Sequence, residues 1–217
     1  MRHLYLARRP IGEALKFAAG IFFLLALGGT AAAQDTALQN VARDPLTKGT
    51  RELGLFGSGG QGVLNASNTQ FAAAGGRVGI ILTKDHLSGW LRGNFEWAID
   101  VMPVYTIFTP HGAVYGGSLK PVIWRWNFTR GKTIVPYVAA AGGIVFSTAN
   151  IPPGDTSSVN FTPQAEFGAD IFVERSSALF LEGAVVHHSN ADLGTLNPGY
   201  SAALFFTIGY SWFKNTR

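Results

Sequence analysis

Residues 179–213 read LFLEGAVVHHSNADLGTLNPGYSAALFFTIGYSWF, and their alternation decides the fold class. Successive side chains of an extended strand point to opposite faces. Over 200–213, Tyr200, Leu204, Phe206, Ile208, Tyr210 and Trp212 fall on one face, and Ser201, Thr207 and Ser211 on the other. So large an apolar face demands hydrocarbon or a protein core against it. Over 177–190, Leu179, Leu181, Val185, His187 and Ser189 share one face, while Glu182, Ala184, Val186 and His188 share the other. An imidazole and a hydroxyl therefore stand on the apolar side, where a polar pair needs a reason.

The same rhythm extends back through the chain. Eight strand-like segments are predicted, at 51–58, 71–83, 90–104, 114–128, 134–148, 160–173, 177–190 and 200–213. In the third, Phe95, Trp97, Ile99 and Val101 oppose Asn94, Glu96 and Asp100; in the fourth, Trp124 and Trp126 oppose Arg125 and Asn127. The sixth sets Phe161, Phe167 and Ile171 against Gln164, Glu166 and Asp170. Backbone amides in hydrocarbon need partners, so strands can span a bilayer only as a closed barrel, and an even strand number suits a bacterial one. The polar faces then fill a narrow lumen as a structural ion-pair network. Long connections are expected at 59–70, 105–113, 149–159 and 191–199, and short turns at 84–89, 129–133 and 174–176. A soluble sandwich or lipocalin-like barrel is the alternative, and the many aromatics on the outer face count against it.

Residues 1–33 begin basic (Arg2, Arg8, Arg9, Lys16), become apolar from Phe17 to Leu27 and end in Ala31-Ala32-Ala33, the pattern of a cleaved secretory signal peptide. The apolar run is shorter than the roughly 20 residues of a transmembrane helix. Residues 34–50 read as a polar periplasmic lead-in, 51–213 as the barrel and 214–217 as a tail. Without the leader, 13 basic residues face 12 acidic ones, which removes the case for nucleic-acid binding. The chain has no cysteine, so it has neither disulfides, a thiolate metal site nor a cysteine nucleophile. Charged residues make up 14% of it, against about a quarter in soluble proteins.

His187-x-Ser189-Asn190, followed by a Gly/Asn/Pro loop and an aromatic-rich last strand, resembles the outer-membrane lipid A 3-O-deacylase (PagL-type, acyloxyacyl hydrolase) family. The resemblance implies an eight-stranded barrel that hydrolyses an acyl ester of lipid A with a Ser-His-Glu triad. It makes Ser189 the nucleophile, His187 the base, and Asn190 with amides near Ala191 the oxyanion donors. Taken by itself, Asn190 reads as an ordinary turn residue before Ala191-Asp192. The family's acid would fall at Ser201, where no carboxylate stands; the Ser201 hydroxyl or Asp192 is left to hold the imidazole. On parity His188 faces the lumen, as a packed or hydrogen-bonded histidine. His86 and His111 have no ligand partners at metal spacing, and no cofactor is called for.

Two functions lead, and a narrow pore ranks behind them because the lumen reads as filled. One is an outer-membrane esterase, with lipid A or lipopolysaccharide of the outer leaflet as partner and pairing with a second copy left open. The other is a non-catalytic barrel, adhesive or structural. The intact His-x-Ser-Asn favours the first, and the missing acid the second.

Overall fold

The computed structural model describes residues 46–131 and 133–215. The expected signal peptide, the lead-in up to residue 45 and the last two residues of the tail lie outside them. Nine strand segments follow in order: β1 (Arg51–Val63), β2 (Gln70–Ile81), β3 (Gly93–Thr109), β4 (Gly112–Phe128), β5 (Ile134–Ile151), β6 (Ser157–Phe161), β7 (Gln164–Glu174), β8 (Ser177–His188) and β9 (Tyr200–Lys214). Neighbours pair antiparallel, and β1 pairs with β9 to close the sheet.

β6 and β7 form a single stave. Both pair with β5 in one continuous register, Ile144 opposite Phe161 and Ala141 opposite Gln164. The gap falls at Thr162-Pro163, where proline has no N–H to give the ladder. Thr162 still exchanges hydrogen bonds with Gly143, at 2.8 and 3.3 Å. The molecule is thus a closed eight-stranded antiparallel barrel. Among the described residues no helix is long and apolar enough to cross a membrane.

The predicted faces are the observed ones except at the start of β9, where Tyr200 is buried in the core and Ser201 is exposed, the reverse of the expectation, because a register shift opposite His187 changes the alternation there. Asn94, Glu96, Asp100, Arg125, Asn127, Glu166 and Asp170 are buried in the lumen, whereas Phe95, Trp97, Trp124, Phe167, Phe206 and Trp212 are exposed on the outside. Leu46, just before β1, closes the end of the barrel where the strands begin and finish, packed with Ile81, Val135, Phe172, Ala178 and Phe213.

Connection lengths differ from expectation. β3 and β4 meet in a two-residue turn, Pro110-His111, where a long loop over 105–113 is expected. The register shifts between Met102 and Tyr105, so the buried positions change from even to odd numbers and the strand continues past the point where simple alternation stops. The expected short turn at 84–89 is instead a segment of 82–92, braced by Arg92 Nε donating to Asp85 Oδ2 at 2.8 Å.

The lumen buries six carboxylates (Glu52, Glu96, Asp100, Glu166, Asp170, Glu182) against three cations (Arg77, Lys120, Arg125) among the described residues. Lys120 Nζ bridges Asp100 at 2.9 Å and Glu166 at 3.0 Å, and Arg77 joins Asp100 at 2.8 Å to Glu182 at 3.1 Å. Glu96 Oε2 accepts from Asn127 Nδ2 at 2.9 Å. Its Oε1 lies with Glu52 Oε2 against Gly79, 2.6 and 3.0 Å from where a Cβ on that glycine would stand. Only a residue without Cβ fits between these carboxylates. Glu96→Gln is expected to stabilise the barrel by about 1 kcal/mol, because an amide can donate to Glu52 and one excess charge is removed. Urea titration of the folded protein in micelles checks it; a lower midpoint would mean that Arg125 needs the Glu96 charge.

Candidate active site

Strand β8 carries the site to one rim. Its alternation buries Glu182, Ala184, Val186 and His188 and exposes Val185 and His187. Ser189 follows at the strand's end, half-buried and held by paired backbone hydrogen bonds with Phe161 at 2.7 and 3.1 Å. His187 and Ser189 therefore share the outward face, as the sequence predicts.

The His187 ring finds its partner across the β8–β9 ladder. Val186 pairs with Ala203 and His188 with Tyr200, so one extra residue of β9 is accommodated opposite His187. This irregularity accompanies a 3.1 Å contact between His187 Nδ1 and the backbone carbonyl of Ser201. A carbonyl only accepts, so Nδ1 carries the proton and Nε2 holds the lone pair. The Ser201 hydroxyl is not the group involved, and the exposed Asp192 does not take this place. Asn65, from the β1–β2 loop, fixes the same stretch: its Oδ1 accepts from Ser201 N at 2.8 Å and its Nδ2 donates to Gly199 O at 3.1 Å.

Ser189 Oγ donates to Asn197 Oδ1 at 3.3 Å and accepts from Ala191 N at 3.2 Å. No hydrogen bond joins His187 to Ser189 among the described residues. Their Cα atoms are about 7 Å apart along an extended strand, so contact requires a rotamer change at one or both. Asn190 is buried, and its side chain organises the loop: Oδ1 accepts from Asp192 N at 3.0 Å and Nδ2 donates to Leu196 O at 2.9 Å. One amide hydrogen of Asn190 is left over from these contacts. Ala191 and Asp192 take left-handed conformations, φ 49° and 61°, which non-glycine residues adopt only under constraint.

His188 is in the lumen as predicted. Its Nε2 is 2.9 Å from Tyr105 Oη and its ring stacks on Phe71 at 5.1 Å. His86 and His111 are exposed, and no metal-ligating group of three occurs among the described residues. Sequence reasoning missed Asn65 and Asn197. The Asn197-Pro198-Gly199 turn signal could have pointed to the second; nothing local marks the first.

A family model described as lipid A 3-O-deacylase (PagL) matches residues 78–211, more than half of the chain, including His187, Ser189, Asn190 and Ser201. The chain belongs to this family. As a PagL-family protein it is a barrel of the bacterial outer membrane. Its similarity to solved structures is distant. The crystal structure of the outer membrane enzyme PagL is 15% identical, with 73% of this chain and 98% of that chain covered and a TM-score of 0.49. The N-terminal β-barrel domain of Pseudomonas aeruginosa OprF is 13% identical, with 77% and 98% covered and a TM-score of 0.49. No curated protein sequence matches.

Proposed function

We propose that this PagL-family barrel hydrolyses an acyl ester of lipid A, with Ser189 as nucleophile and His187 as general base. The observation that carries the reading is the His187 Nδ1 contact to Ser201 O at 3.1 Å. It does for the tautomer what the family's carboxylate would do: it leaves Nε2 unprotonated and anchors the ring. A neutral carbonyl stabilises the imidazolium formed during attack less than a carboxylate, so turnover is slower than in a full triad. His187 Nε2 takes the Ser189 proton as Oγ attacks the ester carbonyl. The imidazolium then protonates the departing alcohol, and water, activated by the same nitrogen, releases the fatty acid from the acyl-enzyme. The Ala191 N–H and the remaining amide hydrogen of Asn190 are the oxyanion donors in this scheme. With both barrel termini in the periplasm, β8 rises to the outer-leaflet side, where lipid A resides. Polar groups at that depth cost only about 0–1 kcal/mol on the lipid face.

The test is mass spectrometry of lipid A from cells carrying the wild type, Ser189→Ala or Ser201→Ala, each confirmed as folded in the outer membrane. Wild type and Ser201→Ala are expected to remove one acyl chain, because the backbone carbonyl survives that substitution, and Ser189→Ala to remove none. Identical lipid A in all three would leave a non-catalytic barrel, which the Ser189 hydrogen bond to Asn197 instead of His187 favours.

A further inference from the structure

The charges of this barrel are sorted by height. Exposed Arg51, Lys84, Arg130, Arg175 and Lys214 stand at the end where the strands begin and finish. Arg77, Lys120 and Arg125 are buried in the lumen. The four stretches that build the other end, 58–76, 103–119, 139–165 and 183–209, contain no lysine or arginine. Their only carboxylates are Asp155 and Asp192, both exposed.

Both acids lie on or against the loop that follows the nucleophile. Asp192 is on the loop that follows Ser189, and the Asp155 carbonyl accepts from Leu196 N of that loop at 2.8 Å. Around them the uncharged polar groups of Asn65, Asn197 and Ser201 alternate with apolar ones: Leu193 and Leu196 are 61% and 57% exposed on the loop, and Val185 and Leu204 face outward below it. A phosphate monoester carries about −1.5 to −2 at neutral pH and is held where it matters chiefly by lysine or arginine, by protonated histidine or by a helix N-terminus. The site end offers two negative charges and no lysine or arginine; its exposed histidines are His111, on the β3–β4 turn, and His187, which the reaction itself uses as base. An acyl chain, in contrast, meets the exposed side chains of Val185, Leu193, Leu196 and Leu204.

We infer that the substrate is selected through its acyl chain and uncharged sugar, and that lipid A without phosphates is cleaved at least as well as the phosphorylated form. The inference rests on the esterase reading. Phosphate groups are tolerated at a distance and, at low ionic strength, repelled by Asp155 and Asp192.

The experiment uses the full protein folded in neutral detergent micelles, at low salt with chelator, and follows fatty-acid release from bisphosphorylated and from fully dephosphorylated lipid A. kcat/KM is expected to stay equal or rise up to about fivefold when the phosphates are removed, and salt is expected to erase any difference. Asp155→Lys is expected to raise the rate on the bisphosphorylated substrate about threefold or more and leave the phosphate-free one within about twofold. A loss of tenfold or more on removing the phosphates, the size expected for a forfeited charge-assisted contact, would overturn the inference and leave the esterase standing. Release from neither substrate would bring down both.

Discussion

His187→Ala is expected to lower acyl-ester hydrolysis by about 10⁴-fold, near 5 kcal/mol of transition-state stabilisation, with no change in the fold. The ring is exposed, on the outer face of β8, and its one hydrogen bond goes to a carbonyl on the neighbouring strand. Removing it opens no cavity and leaves no buried group unpaired, so the barrel should keep its heat-dependent gel migration and its unfolding midpoint. The proton on Ser189 would then have no general base to take it. Asn197 Oδ1, the present acceptor of the Ser189 hydroxyl, is an amide oxygen and far too weak a base. The check is the kcat for fatty-acid release by wild type and variant at matched folded concentration. A loss below tenfold would remove His187 from the mechanism.

The barrel was legible because alternation survives wherever register is regular. The faces of residues 177–190 and the inward set of Glu96, Asp100, Arg125, Glu166 and Asp170 follow from parity alone. Parity fails where a bulge intervenes. The shift between Met102 and Tyr105 turns the phase of β3, and with it the length of the hairpin to β4. The site shows the same limit in another form. His187 and Ser189 share a face on sequence grounds, but the partner of His187 is a main-chain carbonyl, and a main chain has no letter. Asn65 reaches that carbonyl's residue from a loop 136 positions away in sequence, a contact that only barrel closure creates. Which lumen charges meet also depends on strand stagger, which residue types do not encode.

Arg125→Met should destabilise the barrel by about 3–5 kcal/mol, because it leaves three carboxylates facing one another without their cation. The guanidinium is fully buried. Its Nη2 donates to Asp170 Oδ2 at 2.5 Å, Nε lies 3.1 Å from Glu96 Oε2, and Nη1 is 3.8 Å from Glu52 Oε2. Asn127 Oδ1 accepts from Nε at 2.7 Å, and the Tyr137 ring lies 4.2 Å below the guanidinium carbon. Methionine fills most of the volume, so the loss is electrostatic and not a packing defect. Arg125→Lys should recover only part of it, since a point charge cannot contact three acids in the plane of a fork. Combining Arg125→Met with Asp170→Asn should restore at least half, because the second change removes one of the charges left exposed to its neighbours. Denaturant unfolding in micelles of the wild type, Arg125→Met, Asp170→Asn and the double variant measures the coupling. Strict additivity of the two changes would mean that Arg125 and Asp170 stabilise the barrel independently, and the lumen would then be a set of separate pairs instead of one network.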